Sequence, residues 1–532
     1  MVRRGVAGFV PAALTAFLLG TAAMPAAAES VLKVMLDGEI KTLDPVFTTE
    51  SMAQQHGLMI YDTLFALDSK RQPQPQMVGA YERSSDGLTW TFTLRDGLKF
   101  HDGSPVEAKD VVASFTRWAA RSGAGAAMRP FVEQVSAVDA KTFTLKLNKP
   151  FGPVLEALAT PTSSLVVMRE AEAKTDPATA VTTAIGSGPF KFVQEGWNPG
   201  DVAVYVKNTD YVPRSEPADG YAGGKVAKVD KVELGFIPDA TTAAQALISG
   251  EVDMLTFPQL ALLPMFQQAP GTKVQVLDNV GEQALLRTNH LIPPFDNPKA
   301  RQALLYLVAD QNDYLAAIAR YAELRRPCAA VLGCGTPLET DAGVGDWASG
   351  GPNIEKAKAL FAEAGYDGTP VVIIDPPTND RIHAMSLMTA QRLRDAGINV
   401  DVQAMDLGTW ASRRATKAAP KDDPAGWNIF HTHGKLASQG DPLANAGAAT
   451  PCDQKNWHGW PCDEELDNVR LAFATTPPED RKAWVDRFQT RFYEVLPYVP
   501  VGQFTLPVAY RDNLEGVLEV PGYAALWNIE KK

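Results

Sequence analysis

The 532-residue sequence lacks the short motifs that mark common enzyme active sites. It contains no HExxH metalloprotease motif, no GxSxG nucleophile motif, no phosphate-binding P-loop and no dinucleotide-binding fingerprint. Beyond its N-terminus it also has no apolar run that approaches the about 20 residues needed to span a membrane. The sequence therefore offers no positive evidence for an enzyme or for an integral membrane protein.

Basic residues are in deficit, with 50 Lys and Arg against 62 Asp and Glu and a net charge of −12. Removal of residues 1–28 takes away two arginines and no acid, so the net charge becomes −14. Nucleic acids and anionic lipids are polyanions, and this charge argues against both as partners. The acidity could steer cationic ligands, but a soluble surface with excess acid is the simpler interpretation.

Cysteine is scarce, with four residues at positions 328, 334, 452 and 462. Three pairings are possible in an oxidising compartment. Local pairing is the simplest, and it predicts two structural disulfides, Cys328 with Cys334 and Cys452 with Cys462. A zinc site is the alternative, but the spacings are not those of a CxxC pair.

The N-terminus has the pattern of a secretory signal peptide. Arg3 and Arg4 precede an apolar run over residues 6–19, and three alanines ending at Ala28 precede Glu29. We expect cleavage after Ala28, because the apolar run is too short for a membrane helix. The twin arginine leaves the Tat export route open. No cysteine near the cleavage point could take a lipid, which favours free diffusion in a Gram-negative periplasm.

About 500 residues remain after cleavage. This length exceeds what a single hydrophobic core usually organises, so two or three lobes are expected.

Residues 88–105 combine strict alternation with two turn signals. Leu88, Trp90, Phe92 and Leu94 alternate with threonines and an arginine, as a half-buried strand requires. Asp-Gly pairs at 96–97 and 102–103 supply the positive backbone dihedrals of tight turns. The pattern predicts a β-hairpin.

The letters of this segment resemble a signature of family 5 solute-binding proteins, the dipeptide, oligopeptide and nickel receptors of ABC importers. Further segments resemble the same family in matching order, at residues 43–45, 186–192, 208–211 and 250–254. The resemblance covers essentially the whole mature chain. It implies an α/β clamshell of the type II periplasmic-binding-protein fold, with two lobes and an extra subdomain inserted in the first.

The resemblance also implies the lobe boundaries. Residues 29–280 and 501–532 would form the first lobe, with the inserted subdomain at about 61–180, and residues 281–500 would form the second. The chain would cross between the lobes near 275–285 and 497–503. From about residue 281, helical patterns alternate with short apolar strands, which predicts βαβ units around a mainly parallel sheet.

Several ligand contacts are implied by the resemblance. Thr48, Thr49 and Glu50 follow the Leu43-Asp44-Pro45 turn, in a loop that faces the cleft in the family. Trp410 falls where the peptide-binding members place a pocket tryptophan. A flat indole can cover a variable ligand side chain, although a place in the core is an equally good interpretation.

Three histidines could form a metal site. His431 and His433 would point to the same face if residues 428–434 form a strand, and His458 could join them. The preferred interpretation is that they are ordinary polar positions lining a cleft.

The sequence departs from the peptide receptors next to Gly440-Asp441-Pro442, which resembles the family's acidic residue followed by proline. Three residues before that acid, the peptide receptors place a carboxylate that pairs with the ligand's α-ammonium, and here the position is Ser438. A serine cannot neutralise a buried ammonium. Either Asp441, Glu50 or another acid replaces it, or the ligand has no ordinary free amino end.

Together these patterns predict a monomeric periplasmic solute-binding protein that captures a ligand by hinge closure, breaks no bond and needs no cofactor. It would deliver the ligand to an ABC permease at the inner membrane. A di- or oligopeptide is the first prediction for cargo, followed by a peptide-like or amino-acid conjugate, and then by a chelated metal such as nickel. A receptor used only for sensing and a secreted metal-dependent hydrolase are the alternatives from other classes.

Overall fold

A computed structural model describes residues 1–2, 5, 8 and 29–532. The predicted signal peptide, residues 1–28, lies outside the described residues apart from those four positions. Within the described ranges, no helix has both the length and the apolar character to cross a membrane.

A seven-stranded sheet, here called sheet I, collects strands from both ends of the chain. Its strands in spatial order are Thr272–Val276, Pro507–Arg511, Met254–Leu255, Val31–Met35, Lys231–Gly235, Ala203–Lys207 and Phe190–Phe192. The first strand, Val31–Met35, pairs in parallel with strands on both sides. Sheet I therefore has a parallel centre whose strands end along one edge.

A six-stranded sheet, here called sheet II, is built from the second half of the chain. Its strands in spatial order are Arg325–Arg326, Tyr498–Phe504, Glu282–Thr288, Ile429–Lys435, Val371–Asp375 and Val400–Ala404. The prediction of a mainly parallel sheet is wrong, because three of the five neighbouring pairs are antiparallel. The chain enters sheet II along Glu282–Thr288 and leaves along Tyr498–Phe504, so these adjacent strands run in opposite directions.

A four-stranded antiparallel sheet, here called sheet III, has a hydrophobic core of its own. Its strands in spatial order are Val78–Arg83, Thr89–Leu94, Thr142–Leu147 and Val132–Ala137. Trp90, Phe92 and Leu94 are buried in that core, as the alternation predicts. The extent of the inserted subdomain, about 61–180, stays a prediction.

The strand Thr89–Leu94 does not form the predicted hairpin with the residues that follow it. It pairs with the preceding strand Val78–Arg83 and with Thr142–Leu147. The turn at residues 102–103 closes only an isolated bridge between Lys99 and Pro105. The alternation determined which side chains are buried, but the partner strand depends on packing between distant segments.

Helices cover the sheets, and seven of those in the described chain begin at a residue whose side chain caps the first turn. They span Ser51–Ile60, Ala108–Arg121, Gly123–Met128, Val154–Leu158, Glu170–Ala173, Ala240–Ser249, Leu263–Gln268, Pro298–Leu307, Gln311–Ile318, Ile354–Glu363, Asp380–Asp395, Leu407–Arg413, Leu436–Gln439, Glu464–Ala472 and Arg481–Val495. Gly250 ends Ala240–Ser249 with φ 81°, and the Asn297 side chain caps Pro298–Leu307.

Two short connections join sheet I to sheet II. The first lies between Thr272–Val276 and Glu282–Thr288, and the second lies between Tyr498–Phe504 and Pro507–Arg511. The strand Tyr498–Phe504 belongs wholly to sheet II, so the second connection follows the predicted crossing at 497–503 by a few residues. The exact division into lobes at residues 280 and 501 stays a prediction.

Both predicted disulfides are present. Cys328 is bonded to Cys334, and Cys452 is bonded to Cys462. Each bond closes a short loop, and the described chain has no free cysteine.

A buried ion pair attaches the long helix Ala108–Arg121 to the turn after the first strand. Arg117 Nη2 donates to Asp44 Oδ2 at 2.5 Å, and the two side chains are 1% and 0% exposed. The other carboxylate oxygen of Asp44, Oδ1, stabilises the turn itself, because it accepts a hydrogen bond from the backbone N–H of Val46 at 2.9 Å. The pair therefore holds together two segments that are 73 residues apart.

Replacement of Asp44 by asparagine should lower the free energy of unfolding by about 3 kcal/mol, because it leaves the Arg117 charge buried without a counter-charge. Chemical denaturation followed by circular dichroism would measure the change. Glu39→Gln is the control, because Glu39 pairs with Lys41 at an exposed position where the ion pair contributes little. Equal effects of the two substitutions would contradict the importance of the buried pair.

Candidate functional site

A cleft of about 790 Å³ lies between sheet I and sheet II, and it is here called the central cleft. Residues 35–37, 236–238, 255 and 257–261 contribute most of the sheet I wall, and they lie at or just after the ends of three neighbouring parallel strands. Residues 378–381 follow the strand Val371–Asp375 and contribute to the sheet II wall. Loops at the carboxyl ends of parallel strands are the usual place for ligand sites in α/β folds.

Three charged or titratable side chains form a cluster on the sheet II wall. His433 Nδ1 lies 2.5 Å from Glu282 Oε2, and Lys435 Nζ lies 3.7 Å from Glu282 Oε1. The strand register brings them together, since Glu282 is paired with Lys435 across neighbouring antiparallel strands. A single carboxylate is thus in contact with both the imidazole and the ammonium.

Burial by itself raises the pKa of Glu282, because it disfavours the charged form. The charge and hydrogen bond of His433, together with the charges of Lys435 and Arg381, outweigh burial and bring the pKa to about 2. Glu282 is consequently an ionised group at neutral pH although its side chain is only 10% exposed.

Lys435 lies against two aromatic rings, of which Phe257 lines the central cleft and Tyr523 lines a small neighbouring cavity. Its Nζ lies 4.7 Å from the ring centre of Tyr523 and 5.7 Å from that of Phe257. Both distances are within the range of a cation–π interaction. The ammonium is therefore held between a carboxylate on its own sheet and two rings from other segments of the chain.

Further charges line the central cleft without an ion-pair partner among the described residues: Arg320, Arg381 and Asp380 on the sheet II side, and Asp37 on the sheet I side. Asp37 accepts from the Ser51 hydroxyl at 3.0 and 2.8 Å. Arg381 lies in the first turn of Asp380–Asp395, whose start is set by the Asn379 side chain accepting from the Ile382 N–H. Charged ligand groups of either sign thus have counterparts here.

Of the predicted ligand contacts, His433 lines the central cleft. His431 is fully buried, with Nε2 2.8 Å from the Thr389 hydroxyl, and burial lowers its pKa to about 3. His458 lies in the loop closed by the Cys452–Cys462 bond, and burial lowers its pKa to about 4. Among the described residues, no group of three or more His, Cys, Asp and Glu side chains could hold a metal ion.

Trp410 lies in the core and is 4% exposed. The Arg414 guanidinium carbon is 4.1 Å from its ring centre, and the ring packs edge-on against Phe430 with centres 5.9 Å apart. One face of the indole is thus covered by the chain's own arginine. Trp410 is not among the described residues lining the central cleft, and its contact with a ligand stays a prediction.

Ser438 and Asp441 serve local backbone structure. The Ser438 hydroxyl donates to the Lys435 carbonyl at 3.1 Å, and Asp441 Oδ1 accepts from the N–H groups of Leu443 and Ala444 at 2.8 and 3.3 Å. Burial raises the pKa of Asp441. Neither side chain is among the described residues lining the central cleft, so their ligand contacts stay predictions.

Thr48, Thr49 and Glu50 precede the helix Ser51–Ile60. The Thr48 hydroxyl accepts from the Glu50 N–H at 3.3 Å, and Thr49 and Glu50 are exposed. Of these neighbouring residues, Ser51 is the one that lines the central cleft. The ligand contacts of the three predicted residues therefore also stay predictions.

Sequence reasoning missed Asp37, Glu282, Arg381 and Lys435. The strand alternation that singled out His431 and His433 continues to Lys435, so this signal could have found the lysine. Glu282, Asp37 and Arg381 carry no local signal, because each reaches the cleft only through the packing of separate segments.

A cleft between two α/β sheets that are joined by two short connections is the architecture of a two-lobed ligand-binding protein of the type II periplasmic-binding-protein fold. The chain belongs to the bacterial extracellular solute-binding proteins, family 5, whose family model matches residues 72–422. The predicted family and the type II periplasmic-binding-protein fold are confirmed, whereas the extra subdomain inserted in the first lobe stays a prediction. The chain is thus a solute-binding protein of the family that serves peptide ABC importers.

One relative is a probable peptide ABC transporter periplasmic-binding protein of Sinorhizobium fredii, 38% identical over 98% of this chain and 97% of the relative. Among solved structures, the binding protein AgaA of A. tumefaciens, in complex with agropinic acid, is 25% identical with a TM-score of 0.75, over 94% of this chain and 99% of that chain. DppA of Helicobacter pylori, in complex with the peptide STSA, is 21% identical with a TM-score of 0.75, over 94% of this chain and 98% of that chain.

The contribution of Glu282 to stability should depend on pH. Its folded pKa of about 2 is below the ordinary value of 4.5, so the stabilisation is complete above about pH 4.5 and is lost as the pH falls towards 2. The free energy of unfolding of the wild type, minus that of Glu282→Gln, should therefore shrink by about 3 kcal/mol over this window.

Denaturation at a series of pH values would measure this difference. The exposed Glu323→Gln variant is the control and should follow the wild type throughout. A difference between wild type and Glu282→Gln that stays constant with pH would show that the carboxylate is not held ionised by its neighbours.

Proposed function

We propose that the mature protein captures a peptide or a peptide-like small molecule in the central cleft and delivers it to an ABC permease. The observation that carries the proposal is the cleft itself, which has ion-pairing groups on both walls. Its volume of about 790 Å³ is within the about 300–1,000 Å³ of typical small-molecule sites, which favours a ligand the size of a short peptide.

Capture works by closure of the two halves of the molecule. A ligand that contacts both Asp37 on the sheet I side and Arg381 on the sheet II side binds the closed state better than the open one, and so selects it. The two short connections between the sheets are the elements that would absorb the change in backbone dihedrals. Binding and closure need no bond to be broken.

Charge in the central cleft favours a ligand with a carboxylate. Arg320 and Arg381 line the cleft and form no ion pair with a described residue, so a ligand carboxylate would supply their counter-charge. A planar guanidinium donates two parallel hydrogen bonds to a carboxylate, which gives orientation as well as affinity. Asp37 could receive a cationic ligand group on the opposite wall.

The proposed location is the periplasm, reached through the signal peptide at residues 1–28, and the proposed form is a monomer. The net charge of −14 after cleavage argues against nucleic acid as a partner. The partners are therefore a small ligand and the inner-membrane permease.

Native mass spectrometry of protein purified from its own periplasm tests the proposal directly, since a bound peptide-like ligand would add its mass to the chain. A thermal-shift panel of short peptides, amino-acid conjugates and nickel–histidine would then assign the class, because ligands of the folded state raise the unfolding temperature. The absence of both a bound mass and any shift would overturn the receptor function. A shift with nickel–histidine alone would replace the peptide with a chelated metal.

Arg381→Gln should weaken binding of the ligand found in that panel about 10- to 100-fold, because it removes a charge-assisted contact. Isothermal titration calorimetry would measure the loss. Arg394→Gln is the matched control on the same helix, where the arginine donates to the Val400 carbonyl and does not line the central cleft. Similar affinities for the two variants would remove Arg381 from the proposed site.

A further inference from the structure

The Lys435 ammonium occupies a place in the central cleft that has the chemistry of a cation-binding site. The Glu282 carboxylate lies 3.7 Å from its Nζ, and the rings of Tyr523 and Phe257 lie at 4.7 and 5.7 Å. A carboxylate with aromatic faces is the arrangement that recognises ammonium ligands. Here the chain's own side chain fills it.

The charge of Glu282 is fully used within this cluster. One of its oxygens is 2.5 Å from His433 Nδ1 and the other faces Lys435. A second ammonium next to Glu282 would meet the Lys435 ammonium and a carboxylate whose two oxygens already face partners, and like charges at such distances repel. A ligand ammonium is therefore disfavoured at this position.

The Lys435 ammonium still has donors to offer. It lines the central cleft with its side chain 19% exposed, and within the described chain Nζ makes no hydrogen bond, its carboxylate partner being 3.7 Å away. An ammonium carries three N–H donors. An acceptor with negative charge is the ligand group that would satisfy them.

We propose that Lys435 determines ligand specificity: it fills the carboxylate–aromatic site with an internal ammonium, so that the ligand group placed beside Lys435 is a carboxylate and not an amino group. The inference rests on the proposed function and defines its cargo as acidic peptide-like molecules whose amino group can be blocked. Asp37 on the opposite wall is the acid that could take a cationic group of the same ligand.

The test uses dipeptide and tripeptide mixtures in four forms: both ends free, N-acetylated, C-amidated, and blocked at both ends. Thermal shift and competition measurements on the full mature chain compare the forms. The wild type should bind the two forms with a free carboxylate, with N-acetylation tolerated, and should bind the C-amidated forms at least tenfold more weakly.

Lys435→Met should reverse this preference. The substitution keeps an unbranched side chain of similar length but removes the ammonium, and so frees Glu282 and the rings for a ligand ammonium. The C-amidated mixture with a free amino end should gain at least tenfold in affinity. A gain of binding cannot come from misfolding. Lys417→Met is the matched control, because Lys417 lies over the Trp460 ring at 5.4 Å and does not line the central cleft.

Each outcome decides. If the wild type binds C-amidated and free-acid forms equally, the inference is wrong while the receptor function stands. The same holds if Lys435→Met changes the stability, or the shape of the unliganded protein in X-ray scattering, but leaves the preference for one peptide end unchanged. Lys435 is then a structural contact. If no form binds either protein, the peptide class itself fails, and the inference fails with it.

Discussion

The constraint on which the rest of the structure depends is that the chain passes between its two large sheets twice. The strand that enters sheet II, Glu282–Thr288, lies next to the strand that leaves it, Tyr498–Phe504, and the two run in opposite directions. This pairing is one of three antiparallel pairs among the five of sheet II, and it places both connections side by side. Because few residues join the sheets, a cleft remains between them, and a ligand that touches both walls can change their relative position.

The same entering strand begins with the acid that organises the chemistry of the cleft. Burial of Glu282 alone would cost several kcal/mol, and its contacts with His433 and Lys435 offset that cost. The carboxylate in turn allows the Lys435 ammonium to lie at a partly buried place beside the cleft. In the proposed binding site, the charges left for the ligand are Arg320, Arg381 and Asp380 on the sheet II side and Asp37 on the sheet I side.

Much of the local structure could be predicted. The alternation at residues 88–94 identified Trp90, Phe92 and Leu94 as buried. Gly250 and Asn297 are residue types that commonly end and begin helices, and they do so here. The partner of that strand was not predicted correctly, because hydrogen bonds to Thr142–Leu147 join segments about 50 residues apart and leave no mark in either segment alone. The environment of Trp410 could not be predicted either, because a single tryptophan in a sequence is compatible with a ligand pocket and with the core. In the structure, the guanidinium of Arg414 covers one face of its ring.

The sequence by itself determined the family and the buried faces of several strands and helices, since these depend on residues close together in the chain. It also predicted a signal peptide and favoured local pairing of the four cysteines, and the structure then showed both disulfides. Only the tertiary structure decided the strand directions in sheet II and the membership of the central cleft. Asp37, Glu282, Arg381 and Lys435 come from four separate segments, and their meeting depends on how the sheets pack and on strand register. Long-range packing sums many weak contacts, so no short pattern encodes it.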